Sequence, residues 1–467
     1  MIEGFTFDDV LIIPKYSDIP SRKLISLKTK FSRRIELNIP IVSANMDTVT
    51  ESEMAIAMAV EGGIGIIHRF MPIERQMEEV RRVKRAENIL IADPITIFKD
   101  ATLGEALEVM RKNRITGILV CDAKNYLEGI LTSRDVRFKK DLDLKVKNIM
   151  TARARLVTAK KGVSLKRAVQ ILDEHKIEKL PLVDKRGRLA GLITASDFKK
   201  ISQHQNAAKD KNGRFLVGAA IGVKDGAERA EKLVKAGADA LIIDIAHGHH
   251  KSAIDLLKNL KRKFKKTDII AGNVATPQGV TDLIKAGADA VKVGIGPGAA
   301  CSTRIVAGAG MPQLTAIMEA KKVAKDIPII ADGGIKNSGD AAKAIAAGAS
   351  TIMVGNLLAG TKESPGEYFI ENGAAVKIYR GLASRDASLD RQSVDKNSER
   401  QDREPEGIST KVVYKGEAKK IIGALIDGLQ SGMSYAGARA IKEFWQKAEF
   451  VKITENGSKE SLPRPNQ

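Results

Sequence analysis

Cysteine is nearly absent from this chain, with Cys121 and Cys301 alone among 467 residues. Two cysteines build no disulfide framework, and the expected setting is a reducing cytoplasm. Aromatic residues are also scarce, at 4% with a single tryptophan. That scarcity argues against a platform on which successive bases could stack. The net charge of +20 therefore points to small phosphorylated anions and not to nucleic acid. Lysines and arginines alternate with Glu and Asp, and even Lys261-Arg262-Lys263-Phe264-Lys265-Lys266 reads as a solvated helix end. No apolar stretch approaches the roughly 20 residues that cross a bilayer. The start, Met1-Ile2-Glu3-Gly4, lacks the basic-then-apolar pattern of a secretion signal. No membrane partner is expected.

What the chain has in abundance is Ala, Gly, Ile and Val. Short apolar runs alternate with longer amphipathic segments, the pattern of βα units. Runs at 39–43 and 63–68 are the first two expected strands. Six more follow at 215–219, 240–244, 269–273, 290–294, 327–332 and 351–355. Ala-Gly-Ala elements at 236–238, 286–288 and 347–349 end helices just before strands, with Gly as the cap. Eight such units predict a TIM (β/α)8 barrel built from residues 1–87 and 206–467.

The interruption at 88–205 contains an internal repeat. Each copy closes on Gly-x-x-Thr-x-x-Asp, at Gly129, Thr132 and Asp135 and again at Gly191, Thr194 and Asp197. The pairing resembles tandem CBS domains (a Bateman module). That resemblance implies an adenine or guanine nucleotide effector touched by Thr132, Asp135, Thr194 and Asp197. A purely structural insert is the other reading.

The stretch richest in chemistry is Val293-Gly294-Ile295-Gly296-Pro297-Gly298-Ala299-Ala300-Cys301-Ser302-Thr303-Arg304. Its small residues let a ligand approach the backbone, and it then presents one soft nucleophile. Alone, it fits equally a glycine-rich turn around a half-buried structural cysteine. Its position separates the two readings, since it leaves the sixth strand at the rim where such barrels carry their chemistry. Phosphate is often gripped after strands seven and eight, where the chain reads Asp332-Gly333-Gly334-Ile335 and Gly355-Asn356. Backbone N–H groups at such glycines can cradle an anion. Asp244 ends the fourth strand.

With these residues placed, the chain resembles the IMP dehydrogenase/GMP reductase family over nearly its whole length. Thr6-Phe7-Asp8-Asp9-Val10-Leu11, Ser43-Ala44-Asn45-Met46-Asp47-Thr48-Val49, Asp332-Gly333-Gly334-Ile335 and Ser431-Gly432-Met433-Ser434-Tyr435 match its pattern. The cysteine loop is its signature. The resemblance implies that Cys301 attacks C2 of a purine nucleotide, with Thr303 and Glu406 handling protons. It assigns substrate contacts to Ser43, Met46, Asp332, Gly333, Gly334, Gly355, Asn356, Tyr379, Gly381 and Leu382. Asp244 and Gly294 would face a nicotinamide cofactor, and the carbonyls of Gly294, Gly296 and Cys301 a monovalent cation, usually potassium. A homotetramer or octamer is implied as well. Ala299 and Asn356 depart from the family pattern, replacing serines that usually touch phosphate.

The branch depends on a flap at about 380–410. A dehydrogenase must hydrolyse a thioimidate, and its family activates water with an adjacent Arg-Tyr on this flap. Here no aromatic residue occurs between Gly381 and Val413, and the corresponding place reads Val394-Asp395-Lys396-Asn397. Arg391, Arg400 and Arg403 have no tyrosine beside them. The resemblance therefore favours a CBS-containing, GMP-reductase-like branch. Its reaction converts GMP to IMP and ammonia with NADPH. IMP dehydrogenase, which forms XMP from IMP, NAD and water, is the alternative, and Asp244-Ile245-Ala246-His247 and the 450–461 segment look more like that branch. A catalytically silent nucleotide sensor is a third reading, opposed by the joint presence of Cys301, Thr303 and Glu406.

Overall fold

Short runs of Ile, Val and Ala become the strands of a closed parallel barrel in a computed structural model of the chain. The structure describes residues 2–86, 90–91, 94–113, 115–195, 204–387, 389 and 404–461. The strands are β1 (Ile41–Ser43), β2 (Ile64–Ile67), β3 (Val217–Ile221), β4 (Ala240–Asp244), β5 (Asp268–Val274), β6 (Ala290–Val293), β7 (Ile329–Asp332) and β8 (Thr351–Val354). The ring closes where Val354 pairs with Ser43. Most strand residues are fully buried, because the interior of the barrel fills one face and helices cover the other. This is why the strands read as largely apolar runs with no alternation, Lys292 of β6 being the exception in mid-strand.

The outer layer contains α1 (Ser52–Glu61), α2 (Ile73–Arg85), α3 (Gly226–Ala236), α4 (Lys251–Lys263), α5 (Pro277–Lys285), α6 (Gln313–Ala324), α7 (Ser338–Ala346) and α8 (Ala418–Tyr435). Gly237, Gly287 and Gly348 adopt φ of +105°, +104° and +114°, so the expected glycine caps end these helices in the left-handed region. Small residues also set the layer spacing. A Cβ added at Gly65 would lie 2.4 Å from the Ala55 Cα on α1. Among the described residues no helix is long and apolar enough to cross a membrane.

After β8 the chain forms an antiparallel sheet of β9 (Phe369–Glu371), β10 (Ala374–Arg380) and β11 (Ser409–Val413). Arg380 pairs with Ser409, so the two ends of the flap leave this sheet side by side. The middle of the flap, with Val394–Asn397 and its arginines, lies outside the described residues.

Contacts divide the chain into two compact units, Met1–Ala86 with Asn206–Gln467, and Glu87–Gln205. Within the second unit the repeat is structural as well as sequential. Each copy pairs two antiparallel strands, Gly117–Cys121 with Leu127–Thr132 and Lys179–Val183 with Leu189–Thr194. The register shifts at the same place in each, between Val120 and Cys121 and between Leu182 and Val183. Leu90–Ile91, from the beginning of this unit, completes the sheet of the second copy.

The close approach at Gly65 leaves no room for a branched side chain against a helix backbone. Gly65→Val is expected to destabilise the barrel by about 3 kcal/mol, read as a lowered denaturation midpoint, while Gly213→Ala, whose Cβ meets nothing within 4 Å, should cost far less despite its φ of +78°.

Candidate active site

β6 ends at Val293, and the loop that follows is shaped by contacts only glycine can make. A Cβ at Gly294 would stand 2.1 Å from the Asp332 carbonyl oxygen, and one at Gly296 would strike the Arg304 side chain. The loop delivers Cys301 to an exposed position, where its thiol donates to Thr303 Oγ1 at 3.2 Å. Cys121 is the chemical contrast, because burial pushes its thiol pKa up to about 11 and leaves it inert.

The far end of the flap fastens this loop. Cys301 and Gly407 form an antiparallel bridge. Ser302 N donates to the Glu406 carbonyl at 3.0 Å, Ile408 N to the Ala300 carbonyl at 3.0 Å, and Ser302 Oγ to the Pro405 carbonyl at 3.2 Å. Gly381 N closes the arrangement by donating to the Ile408 carbonyl at 2.9 Å. Cys301, Thr303 and Glu406, about a hundred residues apart in the chain, thus share one patch. Arg380 fixes the flap base from below, with Nε and Nη2 donating to Asp47 Oδ2 at 3.0 and 2.6 Å.

Beside the patch opens a cavity of about 350 Å³. Its wall includes Met46, Asp332, Gly333, Gly334, Gly355, Asn356 and Tyr379, together with Pro297, Gly298 and Ala299 of the cysteine loop. Tyr379 is buried, and that burial, with the charges of Asp332 and Cys301 added, raises its pKa and keeps it a neutral phenol. Ser43 lies outside the wall, fully buried, its hydroxyl accepting from Thr50 Oγ1 at 2.8 Å. Gly381 and Leu382 belong to the flap base and do not line the cavity.

The electrostatic centre is a residue that the sequence reading passed over. Lys292 on β6 is buried inside the barrel, its Nζ 2.8 Å from Asp244 Oδ1 and 2.6 Å from Asp332 Oδ2. Burial works against its charge, but the two carboxylates outweigh that and raise its pKa. Burial likewise opposes ionisation of Asp244, yet Lys292, with help from Arg69 and Asn45, holds its pKa below the ordinary value. Asn273 donates from Nδ2 to Asp332 Oδ2 at 2.9 Å and to the Gly294 carbonyl at 2.7 Å. Gln313 Nε2 bridges the Val293 and Asp332 carbonyls at 3.0 and 3.1 Å. Arg69 Nε, Asn273 Oδ1 and Gln313 Oε1 are buried without a hydrogen-bond partner. Unpaired buried groups are costly, and this cluster beside Asp244 and Asp332 fits a site that polar ligands complete. The clue in the sequence was a lone lysine inside the apolar run Ala290-Val291-Lys292-Val293.

In the second unit, Thr132 and Asp135 are already engaged with one another. Thr132 N and Oγ1 donate to Asp135 Oδ2 at 2.7 and 2.6 Å, a capping pair for the short helix Ser133–Val136. Thr194 is buried, and Asp197 lies outside the described residues.

The family model for the IMP dehydrogenase / GMP reductase domain matches residues 4–464. The chain belongs to the IMP dehydrogenase/GMP reductase family. Among curated relatives, inosine-5′-monophosphate dehydrogenase of Nitrosopumilus maritimus (strain SCM1) is 51% identical over 99% of this chain and 98% of its own. That of Aquifex aeolicus (strain VF5) is also 51% identical, over 98% and 95%. Among solved structures, a cysteine-to-alanine variant of GMP reductase from Trypanosoma brucei, in complex with guanosine 5′-monophosphate, superposes with a TM-score of 0.92 at 43% identity. It covers 100% of this chain and 99% of that one. The chain is thus an oxidoreductase of this family, with a closed barrel as its fold.

Removing the buried cation tests the electrostatic account. In Lys292→Met, Asp244 stays buried without its countercharge, a loss worth about 3–5 kcal/mol at neutral pH. Wild-type Asp244, with its lowered pKa, contributes stability above its unfolded pKa that is lost as pH falls through the folded value. In the variant its pKa is expected to rise above the unfolded value, so the sign reverses. Urea unfolding at pH 8 and pH 5 should show the penalty shrinking toward acid.

Proposed function

We propose that this protein is a GMP reductase, catalysing GMP + NADPH + 2 H⁺ → IMP + NH₄⁺ + NADP⁺. The observation that carries the reading is the flap sequence, which places no tyrosine beside an arginine anywhere between Gly381 and Val413. Without that pair, the flap lacks the water activation that a dehydrogenase needs. The cluster of Cys301, Thr303 and Glu406 supports the rest.

In this reading the Cys301 thiolate adds to C2 of the guanine ring. Thr303 and Glu406 move a proton to the departing amine, so that ammonia leaves and a thioimidate remains on Cys301. A nicotinamide bound at this site would supply a hydride for C2, and expulsion of the Cys301 thiolate would then yield IMP. Asp332 and the glycine-rich corner would hold the nucleotide's ribose and phosphate. Asp244, hydrogen-bonded by Asn45 and with the unpaired Nε of Arg69 nearby, fits the cofactor's polar edge. The monovalent cation fits the loop less well. The Gly294 carbonyl already accepts from Asn273 and Arg304 lies against Gly296, which leaves these carbonyls poorly free for a cation.

The second reading, IMP dehydrogenase, is favoured by the names of the curated relatives at 51% identity. The two separate in one assay. Mixed with GMP and NADPH, the protein should consume NADPH, while with IMP and NAD it should form little or no NADH. NADH formation in the second mixture, with no NADPH consumed in the first, replaces the reductase by the dehydrogenase. In either case Cys301→Ala should lower turnover by more than ~10³-fold while retaining nucleotide binding.

A further inference from the structure

Two hydroxyls that the family pattern would place on the phosphate are missing, because positions 299 and 356 are Ala and Asn. A nucleotide phosphate carries close to two charges at neutral pH, and backbone N–H groups alone leave much of that charge uncompensated. Among the described residues, the cationic side chains lining the cavity are Arg304 and Lys336. Arg304 is committed elsewhere, with Nη2 donating to the Met311 carbonyl at 2.5 Å and its stem packed against Gly296 and Gly310. Nearby Lys415 is likewise occupied by the Asn356 and Leu357 carbonyls at 2.7 and 3.1 Å.

Lys336 is different. It follows Gly333, Gly334 and Ile335 directly, at the phosphate corner, and its backbone N is fixed by Asp340 Oδ2 at 2.9 Å. Its ammonium reaches Asp8, 2.7 Å from Oδ1 and 2.5 Å from Oδ2. Asp8 lines the same cavity on a short helical turn, Phe7–Asp9, capped by Thr6 and tied to α7 by Lys343 Nζ on the Phe7 carbonyl at 2.8 Å. Phe7 also abuts Gly334, where an added Cβ would lie 3.3 Å from its ring. The two side chains of the pair are 57% and 59% exposed. So exposed a pair contributes little to stability, and either partner can return to water at little cost. A phosphate, with more charge and three acceptor oxygens, makes stronger charge-assisted bonds to an ammonium than a carboxylate does. The flexible four-carbon stem of a lysine can turn between them.

We propose that Lys336 is the side-chain cation for the substrate's 5′-phosphate in this protein, and that Asp8 is a placeholder carboxylate which the phosphate displaces. The inference rests on the purine-nucleotide reading above and is indifferent to the direction of hydride transfer. It predicts opposite signs for the two halves of one ion pair. Were Asp8–Lys336 only a tether for the N-terminal segment, breaking it from either side would have the same effect.

The test is calorimetric titration of the full-length protein with GMP, IMP and guanosine. Lys336→Met should weaken GMP and IMP about tenfold and leave guanosine unchanged, with Lys336→Arg restoring most of the loss. Asp8→Asn should tighten GMP and IMP about threefold. Unchanged nucleotide affinity in Lys336→Met, a loss shared by guanosine, or weaker GMP binding in Asp8→Asn overturns the proposal. Wild-type protein that binds GMP and IMP no better than guanosine removes the nucleotide reading itself, and the proposal with it. Unaltered far-ultraviolet circular dichroism in Lys336→Met, measured alongside, separates lost binding from lost folding.

Discussion

Lys292 holds the carboxylates of two strands together with one buried charge. Asp244 ends β4 and Asp332 ends β7, and their mutual repulsion in a barrel interior would be prohibitive without a cation between them. That cation needs rigid support, because a buried charge is stable only where its partners cannot drift. The barrel supplies it, with Asn273 and Gln313 stitching the ends of β5, β6 and β7 to the same aspartate and its backbone. The glycines of the cysteine loop follow from this crowding. Gly294 must clear the Asp332 carbonyl, so the path to Cys301 is dictated by the residue that would meet the ribose.

The fold was legible in the sequence because parallel strands buried on both faces leave a simple trace. Runs such as 240–243 and 352–354 have no polar interruption, and the Ala-Gly-Ala caps mark the helix ends. The inserted repeat was equally plain from its two Gly-x-x-Thr-x-x-Asp endings, but its physical content was not. In the first copy the Thr and Asp satisfy each other as a helix cap, a role that sequence spacing and a nucleotide contact would both allow.

At the site, the residues carrying motif signals were read and those carrying only context were missed. Cys301 and the Gly333–Gly334 pair announce themselves through composition. Lys292 does not, since one lysine in a strand looks like an exception until the barrel wraps two carboxylates around it. Ser43 shows the opposite failure. It sits in a motif that borders the cavity, yet its own side chain points into the protein and bonds Thr50. A motif fixes a neighbourhood, and strand pleating then decides which of its members face the ligand.

The pairing of β10 with β11 has a consequence for how such proteins diversify. Because Arg380 and Ser409 are zipped together and the Pro405–Ile408 segment clasps the cysteine loop, the flap begins and ends at fixed points beside the nucleophile. Its interior can lengthen, shorten or exchange residues with no need to move Cys301, Thr303 or the backbone of Glu406. Sequence change between those two anchors is thereby uncoupled from the backbone frame that holds Cys301 in place.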